Sequence, residues 1–218
     1  MDAEDRKIPS HEVTYARLRD MILFGHLAPG APVTIQGLIS DLGAGMTPVR
    51  EAIRRLTAEG ALLPQGNRRV AVPQLTADLL DQVAFARLAI EPRLAALACP
   101  RLTPAQIDRL EAIDAKVSRA IEAGNLPDYL AANHAFHFAL YEAAEAPVLL
   151  DLARSLWLRA GPSLRAVIAR YGRETAPDLH REALAAMRSG NCEALAAAIE
   201  RDIQQGVDHI RQALAEGH

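Results

Sequence analysis

The chain has 218 residues, half of them apolar, with 24 Lys and Arg against 27 Asp and Glu for a formal net charge of −3. Such a chain can bury one small and one medium core. No apolar run is long enough to span a bilayer, and the opening Met1-Asp2-Ala3-Glu4-Asp5-Arg6 is acidic where a signal peptide is basic, so a cytoplasmic protein with no membrane association is expected. Cys99 and Cys192 lie far apart and belong to no C-x-x-C pair. They are therefore read as small buried residues, not as a disulfide framework or a cysteine metal site.

Along the chain, Val13, Ala16, Leu18, Ile22 and Leu23 predict an amphipathic helix ending at Gly25, with Leu27-Ala28-Pro29-Gly30 as a rigid turn after it. Thr34 can cap a second helix, and Gly43 and Gly45 permit a tight turn. Thr47 followed by Pro48 is read as the capped start of a third helix. Within that helix Val49, Ile53 and Leu56 form an apolar stripe, so Arg50 and Arg54 project together from another face. Two short strands, Ala61–Pro64 and Arg68–Val72, are predicted around a turn at Gln65-Gly66-Asn67, with Arg68 and Arg69 at the tip. Three helices and a basic hairpin make a winged helix-turn-helix, an element that reads double-stranded DNA with a helix in the major groove and the wing on the backbone or minor groove.

Charge distribution agrees. From Ala44 to Val72 there are five arginines (Arg50, Arg54, Arg55, Arg68 and Arg69) against Glu51 and Glu59, whereas residues 76–218 carry 15 basic and 19 acidic side chains. A basic face on an acidic body restricts contact with a duplex to one surface. Arg50 is the leading candidate for base contact, and Arg54 for base or phosphate. Arg55, about 100° further round, is a phosphate contact or a salt-bridge partner. Thr47, at a helix N-terminus, can hold a phosphate. The ordinary alternative for any isolated arginine pair is a solvated face.

Two domains are expected, a winged helix-turn-helix over 1–73 and a helical domain over 76–218, joined at Val72-Pro73-Gln74-Leu75-Thr76. Breaks at Pro100–Pro104, Gly124–Pro127, Ala146-Pro147, Gly172–Pro177 and Ser189-Gly190-Asn191 divide the second part into about six helices, which predicts a mostly α fold ending in an antiparallel all-α bundle. Asn133 and His137 share one helix face beside Phe136 and Leu140, while His134 points elsewhere and is expected to be exposed. Counting about 1.5 Å per residue back from Ser189-Gly190, His180 and Asp202 fall at similar heights on neighbouring helices. Asn133, His137, His180 and Asp202 thus form a candidate nitrogen and oxygen site for a divalent metal, zinc foremost, with nickel and manganese as alternatives. For a single histidine, the ordinary alternative is a hydrogen-bonded core residue. Trp157 is read as core or pocket wall.

The block Leu42-Gly43, Thr47-Pro48-Val49-Arg50-Glu51-Ala52, Arg55-Leu56 and Glu59-Gly60 resembles the GntR family of transcriptional regulators, in particular the FadR-type group with an FCD effector domain, over essentially the whole chain. Two positions depart from that pattern. Met46 stands where an arginine usually precedes the Thr-Pro pair, and Arg69 where a glycine usually follows the wing Asn-Arg pair. The resemblance implies a homodimeric, ligand-responsive regulator, a repressor released from its operator by a small organic acid. It also implies a metal held by Asp or Asn and three histidines, with Asp202 standing where the third histidine is expected. Arg87 becomes a candidate for the effector carboxylate, against the alternative of a salt bridge to Glu91 one turn on. A metal-dependent helical-bundle enzyme and a ligand-free architectural DNA-binding protein are the competing classes.

Overall fold

The computed structural model describes residues 10–171 and 179–216, with side chains left aside for 162–171. The Gly172–Pro177 break, the acidic first residues and His218 lie outside the described residues. Two compact units result, residues 1–74 and 75–218.

In the first unit α1 (Ser10–Leu23) buries Thr14, Leu18, Ile22 and Leu23 and stops before Gly25, whose φ of 69° suits glycine. Val13, assigned to the apolar face, is instead 41% exposed, because Thr14 takes the inward position. The stretch after Pro29 is more than a turn. Pro32–Thr34 forms β1, which pairs with the hairpin strand β3 (Arg69–Ala71), itself paired with β2 (Leu63–Gln65), in an antiparallel sheet of order β1-β3-β2. Only three residues long, β1 is too short to show an alternating pattern. The hairpin strands are also shorter than expected, and the turn covers Gly66–Arg68.

Thr34 ends β1 and caps α2 (Ile35–Leu42), accepting from the Gly37 N–H at 2.9 Å. Gly43 closes α2 in the left-handed region at φ 58°, its N–H directed to the Ile39 and Ser40 carbonyls. Helix α3 (Met46–Ala58) begins one residue before the expected cap. Gly45 is its N-cap, in extended conformation at φ −70° and with no side chain to cap the helix, so Thr47 lies inside the first turn and Gly45 is not required by backbone angle. Val49, Ala52 and Leu56 are the fully buried stripe, with Ile53 only half-buried. They pack with Leu18, Ile22, Leu38 and Leu42 into the core of the head.

The second unit comprises, among the described residues, six helices: α4 (Ala77–Ala98), α5 (Pro104–Glu122), α6 (Leu126–Glu142), α7 (Pro147–Tyr171), α8 (Leu179–Ser189) and α9 (Cys192–Ala215). Their starts are written locally. Thr76, Asn125 and Asn191 each accept a backbone N–H of the first turn, and Thr103 with Gln106 forms a reciprocal capping box. Helix α4 packs on α9 and α7, α5 on α6 and α8, and α8 on α9. Leu80, Leu94, Leu110, Leu140, Tyr141 and Leu195 are all but inaccessible to solvent.

The cysteines are not separate buried residues. Cys99, in the 3₁₀ turn that ends α4, and Cys192, the first residue of α9, form a disulfide with Cα atoms 5.4 Å apart. A separation of 93 residues hides that proximity in the sequence, and the extensive packing of α4 on α9 creates it.

Candidate metal centre and nucleic-acid interface

The polar centre of the bundle is assembled from three helices. His137 on α6, His180 on α8 and Asp202 on α9 bring one donor atom each to within 4.8 Å of one another. His137 Nε2 lies 3.1 Å from Asp202 Oδ2, and His180 Nε2 lies 3.4 Å from His137 Nε2 and 4.0 Å from Asp202 Oδ1. Both histidines are buried, and the side chain of Asp202 keeps 22% exposure, which leaves a route from solvent to the centre.

Hydrogen-bond bookkeeping fixes both rings. Tyr141 has one hydroxyl proton and donates it to Glu91 Oε2 at 2.8 Å, so the 3.1 Å contact between His137 Nδ1 and the Tyr141 oxygen is donated by the imidazole. His180 Nδ1 lies 2.8 Å from Asp114 Oδ1 on α5, and a carboxylate there also accepts. Each ring therefore carries its proton on Nδ1 and turns an Nε2 lone pair toward the centre. Two lone pairs and a carboxylate converge with no donor among them, an arrangement that a cation resolves. A proton shared by His137 and Asp202 is one solution, and a divalent metal is the other. In the shared-proton case burial would raise the Asp202 pKa, but a hydrogen bond and charge from protonated His137, with positive charge at His180 and Arg87, hold it below the ordinary carboxylate value. The donor set and the outer carboxylate and hydroxyl behind each imidazole suit zinc-type ligation.

Three of the four expected ligands, His137, His180 and Asp202, lie around one point. Asn133 stands one turn before His137 on α6 and is half-buried, and no hydrogen bond or ion pair among the described residues joins it to the triad. Arg87 adopts the salt-bridge alternative. Its Nε lies 2.6 Å from Glu91 Oε1 and Nη2 lies 3.2 Å from Oε2, with the guanidinium 4.6 Å above the Trp157 ring. Burial works against its charge, but Glu91 overcomes this and raises the Arg87 pKa. Trp157 Nε1 also donates to Glu91, at 3.1 Å, so this tryptophan is a hydrogen-bonded core residue. His134, expected to be exposed, stacks on Phe138 at 4.3 Å and meets Trp157 edge-on, because α7 covers that side of α6.

Asp114 and Tyr141 were not singled out in the sequence, and Glu91 was read only as a partner of Arg87, although a signal existed. Asp114 continues the i, i+3, i+7, i+10 stripe of the buried Ile107, Leu110 and Val117, and Glu91 lies on the stripe of Leu80, Ala84, Leu94 and Ala98. A carboxylate on a core-facing stripe marks a buried polar network. Tyr129, two turns before His137, also belongs to this region: burial and the Asp202 charge both raise its pKa.

In the head, the arginines divide by engagement. Arg50 is exposed on α3. Arg54 is 75% exposed and pairs with Glu51 at 2.6 Å. Arg55 bonds Glu12 of α1 at 3.1 Å and lies 3.7 Å over the Tyr15 ring, while Tyr15 donates to Glu59, so Arg55 braces α1 against α3. Arg68 and Arg69 are exposed on the wing. Asn67 and Arg68 both have positive φ (61° and 57°), a tight-turn geometry that presents the tip outward.

Comparison with known proteins decides what this pair of units is. Residues 11–72 match the bacterial regulatory proteins of the gntR family, and residues 82–205 match the FCD domain. The chain belongs to the GntR family, in its FadR-type branch with an FCD domain. It is 33% identical to the HTH-type transcriptional regulator McbR of Escherichia coli over 147 residues, 67% of this chain and 66% of McbR. Its identity to the Nta operon transcriptional regulator of Aminobacter aminovorans is 29% over 88% of this chain and 91% of that protein. The solved structure of E. coli McbR/YncC superposes with a TM-score of 0.85 at 26% identity, covering 94% of this chain and 99% of the other. This GntR/FCD chain is a DNA-binding transcriptional regulator and not an enzyme, and its second unit is an effector-binding domain. None of its described helices is long and apolar enough to cross a membrane.

Proposed function

We propose that this regulator is a homodimeric repressor whose grip on a pseudo-palindromic operator is released by a small carboxylate effector bound at a metal in the bundle. The observation that carries the reading is the convergence of three acceptor atoms on one point, with Asp114 and Tyr141 fixing the two imidazoles from behind. His137, His180 and Asp202 would hold the ion, with Asn133 as a fourth ligand. Zinc is favoured by the nitrogen and carboxylate set, with nickel and manganese as alternatives. The metal would supply open positions at which a carboxylate binds. Arg87 then acts from behind Glu91 as a long-range positive charge, and Tyr129 stands near the Asp202 side.

On the DNA side, Arg50 and Arg54 are the base and phosphate candidates, Arg68 and Arg69 the wing contacts, and Thr47 a phosphate contact in the uncapped first turn. Arg55 contributes by bracing the helix more than by direct contact. A dimer is supported by large apolar side chains left open on two helices that pack together: Phe85 of α4 at 78% exposure, and Val148 and Leu152 of α7 at 72% and 48%. The effector favours one bundle state through its differential affinity, and the two heads then no longer match the half-site spacing.

The test is metal analysis of untagged protein purified without chelator, beside His137→Ala, followed by DNA-binding titrations with and without metal and a panel of small carboxylates. One metal per chain, lost in the variant, with a carboxylate that weakens DNA binding only in the metal-loaded protein, is the expected result. A metal-free wild type under repletion, or release that is indifferent to metal, overturns the metal-mediated reading.

A further inference from the structure

We infer that Met46 is a specificity-determining residue that reads the 5-methyl group of a thymine in each operator half-site. The inference rests on the operator-binding reading above and adds to it a named base. Met46 is the first residue of the recognition helix α3, and it is 49% exposed, one of the few large apolar side chains left open in the head. Arg50, also exposed, follows one turn later on the same face. In a helix-turn-helix, the residues at the start of the recognition helix are those that reach base edges.

The chemistry of the side chain selects the base. A thioether has no hydrogen to donate and accepts only weakly, so it cannot pair with the N7 and O6 edge of guanine, the amino group of cytosine or the donor-acceptor edge of adenine. Thymine alone among the four presents an apolar group in the major groove. Met is unbranched and can adapt to the position of a methyl group without a fixed geometry. Four residues of helix rise about 6 Å, which corresponds to about two base-pair steps if the helix follows the groove. The thymine should therefore lie about two base pairs from the base that Arg50 contacts.

The size of the effect follows from one buried methyl group, about fourfold in affinity per half-site and about fifteenfold when both half-sites of a dimer are changed. The test starts with selection of tight binders from a randomised duplex pool, using the full wild-type chain, Met46→Ala and Met46→Arg. Each thymine of the selected duplex is then replaced by uracil, which removes the methyl group and nothing else. The expected result is one thymine per half-site at which uracil weakens wild-type binding about fourfold and leaves Met46→Ala unaffected, with guanine replacing that thymine in the Met46→Arg pool. A selected duplex with no uracil-sensitive thymine overturns the inference, as does equal uracil sensitivity in wild type and Met46→Ala. Failure of the wild type to enrich any duplex overturns the operator reading itself, and this inference with it. Because Met46 is exposed, neither variant disturbs the core of the head, and thermal unfolding of both should coincide with the wild type.

Discussion

Tyr141→Phe is the most informative single perturbation of the bundle, because it removes one oxygen and leaves every ligand in place. That oxygen stands between His137 Nδ1 at 3.1 Å and Glu91 Oε2 at 2.8 Å, fully buried. Glu91 keeps Arg87 and Trp157, so its carboxylate is not orphaned, and it loses a charge-assisted bond of about 1.5–3 kcal/mol. The His137 Nδ1 proton is left without an acceptor in a dry site, which alone costs about 1–3 kcal/mol unless the ring changes tautomer. Changing tautomer moves the proton to Nε2 and blocks the lone pair that faces the centre. Stability should thus fall by about 2.5–6 kcal/mol in denaturant titration, or by about 1.5–3 kcal/mol if the ring changes tautomer, and metal affinity by about 10- to 100-fold in competition with a chelator of known affinity. The same variant with unchanged metal affinity would refute the claim that the hydroxyl fixes the His137 tautomer, whatever happened to its stability.

Asp114→Asn, behind the other imidazole, should lower metal affinity by a similar factor in the same chelator competition, while His180→Ala abolishes binding. Arg87→Ala leaves the Glu91 carboxylate buried without its cation and should cost about 3–5 kcal/mol in denaturant titration, whereas adding Glu91→Gln, which removes the unpaired charge and keeps an acceptor for Tyr141 and Trp157, should recover part of that loss. Reduction of the Cys99–Cys192 disulfide, or Cys99→Ser, removes a cross-link spanning 93 residues, and chain entropy puts the loss at about 4–5 kcal/mol, visible as a lower Tm under reducing conditions. In fluorescence titrations over a salt series, Arg50→Ala should lose about 1–3 kcal/mol and relax selectivity at one base pair. Arg54→Ala should instead weaken all sequences alike and flatten the salt slope by about one charge.

Local signals carried much of the fold. Thr34, Thr103, Asn125 and Asn191 cap helices because a short polar side chain before an apolar periodic run satisfies N–H groups nearby. The same rule misplaced Thr47, since the helix there begins on an uncapped Gly45. Counting helix rise from the turn at Gly190 was enough to bring His180 and Asp202 together, because α8 and α9 are joined by a short connection and pack side by side. No comparable count relates Asp114 to His180, or Glu91 to Tyr141 and Trp157, which come from helices 50 to 66 residues apart.

By itself, then, the sequence determined what depends on neighbours along the chain: the helices and their ends, the helix-turn-helix with its arginines, the wing, and the pairing of a histidine on α8 with an aspartate on α9. Tertiary structure decided what depends on which helices meet. It joined Cys99 to Cys192, buried the Arg87–Glu91 pair together with Tyr141 and Trp157, and took Arg55 into a brace with Glu12 and Tyr15. It also placed a hydroxyl and a carboxylate behind the two imidazoles. A long arginine or a buried carboxylate has several partners within reach in sequence space, and only the packing of the helices selects the one that compensates its charge.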